Sequence, residues 1–564
     1  MAEYLSPGVY VEEYDNSPRT IESAGTSTAG FVGMAVKGPS FGAPALVTNF
    51  ASFQKQFGGF LNEYTHGEYR YLAYAVEQFF ANGGTRCFVA RVVPPDAKKA
   101  VGTFGILGVE AVDEGKWGNK IMISAATSCR KKIQLLEKLG DKVYRAKSLA
   151  GFREGDLVAF HDEVNRIAAI YDEEITMEEE FIEDPVDCSI VPAKVVTSLE
   201  IDFSVRYEDT VESYVGMTLN QASPDYIEKR MGRSELVKIT CTPKETLENP
   251  VEMILGEGTF DGSVTLSGGS DGTLASVDDG TFIGEDLGPG NRTGIQAFLE
   301  NDIVSMMAVP GVTSPEVEVS LVSHCENMKS RVAVLDMPKQ MTKTSELIEF
   351  RSMIDSTYAA MYHPWISVFD RAAKRPGIIP PSGAVMGVYS RTDINRGVHK
   401  APANEPVNCT GLSVNYTTAE QDILNPEGIN LIRALPGQGI RIWGARTASS
   451  NTSFRYINVR RLFIFVEQSI KASTNWVVFE PNDSNLWGRV QMTIAAFLEN
   501  LWRSGMLTGA SASEAYFVEI GSSTMSRDDI MAGRLICNIG IAPSRPAEFV
   551  IFRITQHTAE AGGE

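Results

Sequence analysis

The stretch Gly268-Gly269-Ser270-Asp271-Gly272 carries the spacing GxSxG. In α/β-hydrolases this spacing turns a serine outward between a strand and a helix, where a histidine takes its proton and an acid orients the histidine. Residues 263–266 suit the strand, but 273–280 is a short and ambiguous continuation, and a chain with 50 glycines is expected to match by chance. Ser270 therefore reads as a turn residue, with an α/β serine hydrolase as the alternative. The six histidines, His66, His161, His324, His363, His399 and His557, show no HxH, HxxxH or HExxH spacing, so a metal site would have to be assembled from distant loops. His324-Cys325 invites a base and nucleophile pairing. Adjacent helical residues, however, point about 100° apart, and a core or interface pair is the simpler reading. No GxxxxGK[ST] occurs, so no loop of that type is available to cradle a phosphate. The expectation is a non-enzyme without cofactor or metal.

The elements that would have to position any site come from a chain of 564 residues, 43% hydrophobic, which is enough for three or four ordinary cores. Seven cysteines, Cys87, Cys129, Cys188, Cys241, Cys325, Cys409 and Cys537, stand far apart without a CxxC pair, which argues for reduced thiols and synthesis in the cytoplasm. The first residues have no basic region followed by an apolar run, and no stretch approaches the length of a membrane span. No signal peptide and no membrane insertion are expected. The net charge of −20 argues against direct nucleic-acid binding. That charge is uneven: residues 101–261 hold 31 Asp/Glu against 18 Lys/Arg, whereas 430–564 hold 11 against 13. The acidic segment reads as a solvated outer domain rather than an acidic binding surface.

Along the chain, an apolar run at 30–36, a helix at 69–81 ended by Asn82-Gly83-Gly84 and a strand at 85–93 follow one another in α/β order. Asn49 is placed to cap a short helix. Residues 101–261 interrupt the pattern with short β-like runs, at 120–125 and 190–196 for example, and the cluster EEITMEEEFIEDP at 173–185. Alternation resumes with 303–309, a helix at 314–328, a strand at 331–335, a helix at 345–358 and a strand at 365–369. The last third holds amphipathic helices at 457–472 and 490–502 and a capping box beginning at Ser526. Strands are expected at 535–541 and 548–555, the latter apolar on both faces and so expected to be buried in a sheet. The other end holds LSPGVYVEEYD at 5–15, a strand with nothing beside it. The fold class is α/β and α+β multidomain: a helix-covered sheet core, a mainly β inserted outer domain, and an α+β C-terminal domain with extended terminal strand arms.

These residues fall into ordered blocks: SPGVYVEE at 6–13, GFVG at 30–33, FASFQKQFGGF at 50–60, FFANGGTRCFVAR at 79–91, VPGVT at 309–313, RVAVLD at 331–336, PPSG at 380–383 and VMGVYSRTDINRGVHKAPAN at 385–404. The series continues with QDILNPEG at 421–428, GIRIWGAR at 439–446, YINVRRLF at 456–463, VFEPN at 478–482, GRLIC at 533–537 and 541–553. In this order they resemble the contractile tail sheath family of contractile phage tails and phage-like injection systems. The acidic segment is covered least, apart from GKWGN at 115–119.

The resemblance implies a structural subunit that polymerises helically around an inner tube and contracts to drive the tube through a target envelope. The expected divisions are an N-terminal linking arm 1–28, an α/β core 29–100 and 266–402, an outer domain 101–265, a C-terminal assembly domain 403–546 and a C-terminal strand arm 547–564. Val9, Tyr10, Val11, Glu12 and Glu13, with Phe549, Val550, Ile551 and Phe552, would add strands to sheets of neighbouring copies. The tether 15–28, about fourteen residues, would reach at most roughly 50 Å. Arg441, Arg446, Arg455, Arg460 and Arg461 either meet the tube or serve the fold. Implied partners are other copies in stacked rings or a helical lattice, the inner tube protein, and baseplate and tail terminator or cap proteins. A baseplate or adhesin-type structural protein remains the other non-enzymatic reading.

Overall fold

The computed structural model describes residues 20–549 and 551, apart from 188–193, 243–245 and 257–260. Nine strands form the central sheet: β1 (Thr28–Met34), β2 (Ala45–Val47), β3 (Arg86–Val92), β4 (Met306–Ala308), β5 (Val332–Asp336), β6 (Ala359–His363), β7 (Glu405–Pro406), β8 (Ile429–Leu435) and β9 (Gly439–Ile442). Their spatial order is β2-β3-β1-β4-β5-β6-β8-β9-β7. The run from β3 to β8 is parallel, and antiparallel pairs close both margins. Parallel strands need crossovers that cover both faces, and the side chains divide accordingly. Along β5, Val332 and Val334 join one core while Ala333 and Leu335 join the other.

Helices α1 (Leu72–Ala81) and α3 (Ser382–Arg396) cover the first face, and α2 (Pro315–Met328) covers the second. The α1 and α3 backbones touch because Gly383 and Gly387 lie four residues apart on one side of α3. A Cβ at Gly383 would sit 2.2 Å from the Ala75 carbonyl oxygen, and one at Gly387 2.4 Å from that of Phe79. No feature of the sequence marked α3 as a helix. Its residues from Ser382 to Ser390 are all buried and include Gly and Ser, so it has no polar face to produce a helical period.

Other expectations needed correction in this region. The helix expected at 345–358 ends at Ser352, and the central strand β6 follows it unannounced, because AAMYH is buried on both faces and shows no alternation. The strand expected at 365–369 is Ile366–Asp370, and it belongs to a separate three-stranded sheet with Arg375–Ile379 and Gly411–Leu412. The Asn49 cap forms, with the Ser52 N–H donating to Oδ1 at 2.8 Å.

Arg91 ties the core to the acidic segment. Its side chain is buried, and the guanidinium donates to the carbonyls of Ala35, Gly38 and Glu114 at 3.0, 2.8 and 2.9 Å. Unmade bonds there would leave a desolvated charge. Beyond it the acidic segment folds as β-structure on a core of its own, around Trp117, Ile123, Phe203 and Val237. The chain enters and leaves side by side, through the bridges Lys98↔Ser270 and Val101↔Ser267. Its four-stranded sheet places Glu200–Tyr207 against Met122–Ser128 in antiparallel register, with Glu200 opposite Ser128.

Between those two residues the chain makes a closed six-stranded barrel filled by Ile133, Leu135, Tyr144, Phe160, Ile175 and Val196. The barrel is thus an insertion within an insertion, with a core of its own that adjoins the one beneath through Leu157, Ala159 and Leu199. Much of the 173–185 cluster lies exposed on it, partly neutralised by pairs such as Arg166–Glu178 at 2.9 Å and Lys138–Asp184 at 2.9 Å, as a solvated face requires. The paired ends make its removal a defined experiment. Joining Ser128 to Glu200 through Asn-Gly, the two-residue turn suited to a hairpin, with Glu200→Thr because its partner Lys131 is lost, should leave the rest folded. We expect a cooperative melt within a few degrees of the parent by circular dichroism; aggregation or a broad melt would mean that the barrel supports the sheet beneath it.

Candidate functional site

The last third builds a second small core. Helix α4 (Ile457–Ser473) presents Leu462, Phe465 and Val466 to Leu486, Val490, Ile494, Phe497 and Leu498 of α5 (Ser484–Arg503). Helix α5 starts six residues before the position read from the sequence, because Asp483 caps it by accepting the Leu486 N–H at 2.9 Å. The Ser526 capping box forms as expected, with Ser526 and Asp529 bonding reciprocally.

On α5 lies a sheet of two strands only, β10 (Tyr516–Ile520) and β11 (Cys537–Ile541), antiparallel, with Val518 opposite Ile539. Tyr516, Val518, Ile520, Ile539 and Ile541 turn toward the α4–α5 core, and the Gln491 amide donates to the Val518 carbonyl at 3.0 Å. Phe517 stands about half exposed on the outer face. Among the described residues neither strand has a second neighbour. The outer edge of β11 is therefore open and that of β10 is covered only by the Gln491 amide, a state that proteins otherwise shorten, charge or cover.

The N-terminal segment docks on this core, and the C-terminal segment leaves β11 for the start of α4. Residues 20–27 are not the free tether expected from their Ser, Thr and Gly content. The Glu22 and Ala24 N–H groups donate to Ser473 Oγ at 3.0 Å and Ser469 Oγ at 2.9 Å, Arg461 donates to the Thr26 carbonyl at 2.9 Å, and Ile21 and Ala24 pack on the α4–α5 core. The residues Val9, Tyr10, Val11, Glu12 and Glu13 lie outside the described residues, as do Val550 and Phe552. At the other end the expected buried strand is absent from the described residues of this chain. Residues 544–549 are irregular, and Phe549 and Ile551 are 73% and 79% exposed.

What fixes this segment is Glu548. Its carboxylate accepts Arg446 Nε and Nη2 at 2.9 and 2.7 Å, Asn425 Nδ2 at 2.6 Å and Tyr456 OH at 2.8 Å. Burial pushes the Glu548 carboxyl up, but these donors outweigh burial and hold it below its ordinary value.

The five arginines separate in the same way. Arg446 belongs to this clamp. Arg461 is buried and forms a two-point pair with Asp393 at 2.5 and 2.9 Å, and Arg460 is buried with its guanidinium 3.7 Å from the Phe454 ring centroid. These three serve the fold. Arg441, half-buried and donating to the Asn404 carbonyl, and Arg455, exposed, are the two with surface to offer.

The enzyme-like spacings resolve into structural roles. Ser270 Oγ accepts the Gly272 N–H at 3.2 Å, and the next element is the 3-10 turn Leu274–Ser276 rather than the helix an exposed nucleophile requires. Asp96 accepts from Thr273 and Ser276 and holds that turn. His324 and Cys325 are both buried. Burial and the neighbouring Arg331 push the His324 imidazole down to about 4, and burial pushes the Cys325 thiol up to about 12, so they are held as neutral packing residues. At the carboxyl end of β5, where open α/β sheets keep ligands, the space beside Val309, Glu318 and Asp336 is about 10 Å³, room for one water.

A two-stranded sheet without further strands among the described residues, and chain ends docked at opposite ends of α4, are features of a subunit that joins other chains. Residues 289–448 match the family model described as phage tail sheath protein central domain, and 449–557 match the phage tail sheath C-terminal domain. The chain belongs to the contractile tail sheath family, whose members are structural proteins.

Relatives include the tail sheath protein of Escherichia phage P2, 25% identical over 278 residues that span 47% of this chain and 67% of that one. The tail sheath protein of Salmonella phage ViI is 23% identical over 254 residues, 40% of this chain and 39% of that one. The fold is similar to the helical sheath of the anti-feeding prophage in its contracted state, with a TM-score of 0.55 and 22% identity over 98% of this chain and all of that one.

The Glu548 clamp makes a pH prediction. A carboxyl with a depressed folded value contributes stability that is present above its unfolded value, about 4.3, and is lost as pH falls through the folded value. With a spin label at Phe549→Cys, the parent segment should stay immobile at neutral pH and loosen only in acid below about pH 4. Glu548→Gln should be loose already at pH 7. Equal mobility in both at pH 7 would show that the clamp does not hold the segment.

Proposed function

We propose that copies of this chain polymerise helically around an inner tube and that conversion of the lattice from a long, narrow to a short, wide form drives the tube through a target envelope. The observation that carries the reading is the two-stranded sheet β10–β11, to which no further strand is added among the described residues, with the N-terminal segment docked at the Ser473 end of α4 and Glu548 held near Tyr456 at its other end. Strands from neighbouring copies, the segment 9–13 of one and 549–552 of another, satisfy the edges of that sheet by main-chain hydrogen bonds. Arm residues exposed in the isolated chain, Phe549 and Ile551, are then buried in the partner. The α/β core moves as a rigid body, and the lattice stays linked through the arms.

The acidic insertion, whose two ends lie side by side, projects outward, and Arg441 and Arg455 are the arginines available to acidic groups on the tube. The proposed divisions are an N-terminal arm ending before β1, a core of 28–100 with 266–448, the boundary at 402 being moved because β7, β8 and β9 complete the central sheet, the outer segment 101–265, an assembly domain 449–546 and a C-terminal arm from 547. Baseplate and terminator proteins would cap the ends of the polymer.

Deleting residues 1–16 tests this directly. The arm contributes nothing to the described cores, so the truncated chain should melt cooperatively near the parent temperature yet form no striated tubes in negative stain. Normal tubes from the truncated chain would show that the strand is not the link. An unfolded truncated chain would place it inside its own subunit.

A further inference from the structure

We infer that helix α4 is a rail along which the N-terminal linker is stored, and from which it peels when the sheath changes length; this rests on the sheath function proposed for the chain. Arg461, Phe465, Ser469 and Ser473 are four residues apart and form one stripe of α4. The linker lies along this stripe in the opposite direction, with Thr26 at Arg461, Ala24 at Ser469 and Glu22 at Ser473. The periods match over the last two of these. Two residues of extended chain advance about 6.6 Å, and four residues of helix advance about 6 Å. A strand can therefore meet a serine hydroxyl at every second N–H without strain. The stripe ends with the helix at Ser473, which sets the present exit point of the arm.

The attachment is graded. Its inner end is firm: the Thr26 carbonyl also accepts from Ser305 Oγ at 2.6 Å, the Ser27 carbonyl accepts from Ser390 Oγ at 2.8 Å, and Arg461 is itself locked to Asp393. Its outer end is held by two neutral bonds to serine hydroxyls and the half-buried Ile21 and Ala24 side chains, with Glu22 and Ser23 exposed. A cavity of about 170 Å³ runs beneath Ala24, Gly25 and Thr26, against Ile303, Phe465 and Gln468, so the linker is poorly packed on its underside where the firm and weak parts meet. Pulling on the arm breaks the serine bonds in order and stops at Thr26.

Release of residues 22–25 adds roughly 13 Å of reach, and the exit point moves from Ser473 to Arg461, about 18 Å along the helix. A shorter, wider lattice separates neighbours around its circumference, and that is the direction in which extra reach is needed. The linker is on the rail in the extended form and off it in the contracted form.

The test locks the outer end. A full-length chain carrying Ala24→Cys and Ser469→Cys is assembled on tubes under reducing conditions, oxidised after assembly, and triggered to contract with dilute guanidinium. The parent is oxidised in parallel to control for its own thiols, and Glu22→Cys with Ser473→Cys serves as a second lock. Locked sheaths should contract at least tenfold less often than the parent in negative stain, and reduction should restore contraction. Full contraction with the disulfide intact by mass spectrometry overturns the inference. So does a disulfide that forms in the free chain but not in the extended sheath. Absence of tubes from the parent chain overturns the sheath function itself and this inference with it.

Discussion

The arrangement depends on one constraint: a β-strand edge carries backbone donors and acceptors that must be satisfied, and a sheet of two strands is marginal by itself. β10 and β11 are stable in this chain because their inner face packs on the α4–α5 core. Apart from the Gln491 amide on the Val518 carbonyl, their edges have no strand partner among the described residues. Such edges invite indiscriminate pairing unless the protein determines what joins them. This chain docks its N-terminal segment on that core and holds its C-terminal segment near the start of α4, and a repeated subunit can then satisfy the edges with an identical neighbour. A link of this kind is main-chain and therefore tolerant of sequence drift, in keeping with relatives about a quarter identical to this chain.

The two exits are held by different chemistry. The N-terminal side lies along α4 through serine hydroxyls and one arginine, and the C-terminal side is gripped by four donors on the Glu548 carboxylate. A charged, multiply bonded contact resists displacement more than neutral single bonds do. One arm is thus anchored firmly up to Glu548, and the other has a graded attachment. The cores between them have the close helix contact at Gly383 and Gly387 and the buried Arg91 and Arg331 pins. Load applied at the arms is therefore carried by a stiff body.

Legibility in the sequence followed the physics of each segment. Amphipathic helices such as α4 and capped starts such as those at Asn49 and Ser526 were readable, because one face is polar or one cap residue is diagnostic. β6 and α3 were not, since elements buried on every side lose the period that identifies them. The docking of residues 20–27 was hidden for the opposite reason. Ser, Thr and Gly read as a flexible tether, while the partners that fix it, Ser469 and Ser473, lie some 450 residues away in the sequence. Among the arginines, composition showed a cluster. Only the positions of Asp393, Glu548 and Phe454 separate the three that serve the fold from Arg441 and Arg455.

The central claim is that the terminal strand belongs to another copy, and a mixed-isotope cross-link tests it most directly. Chains labelled with nitrogen-14 and nitrogen-15, each carrying Val11→Cys and Phe517→Cys, would be mixed as monomers, assembled into tubes and oxidised. Strand addition between subunits predicts peptide pairs joining position 11 to position 517 in which mixed-isotope pairs are as common as same-isotope pairs. Cross-links of the same isotope only would mean that each arm folds back onto its own sheet, and strand addition between copies would be refuted.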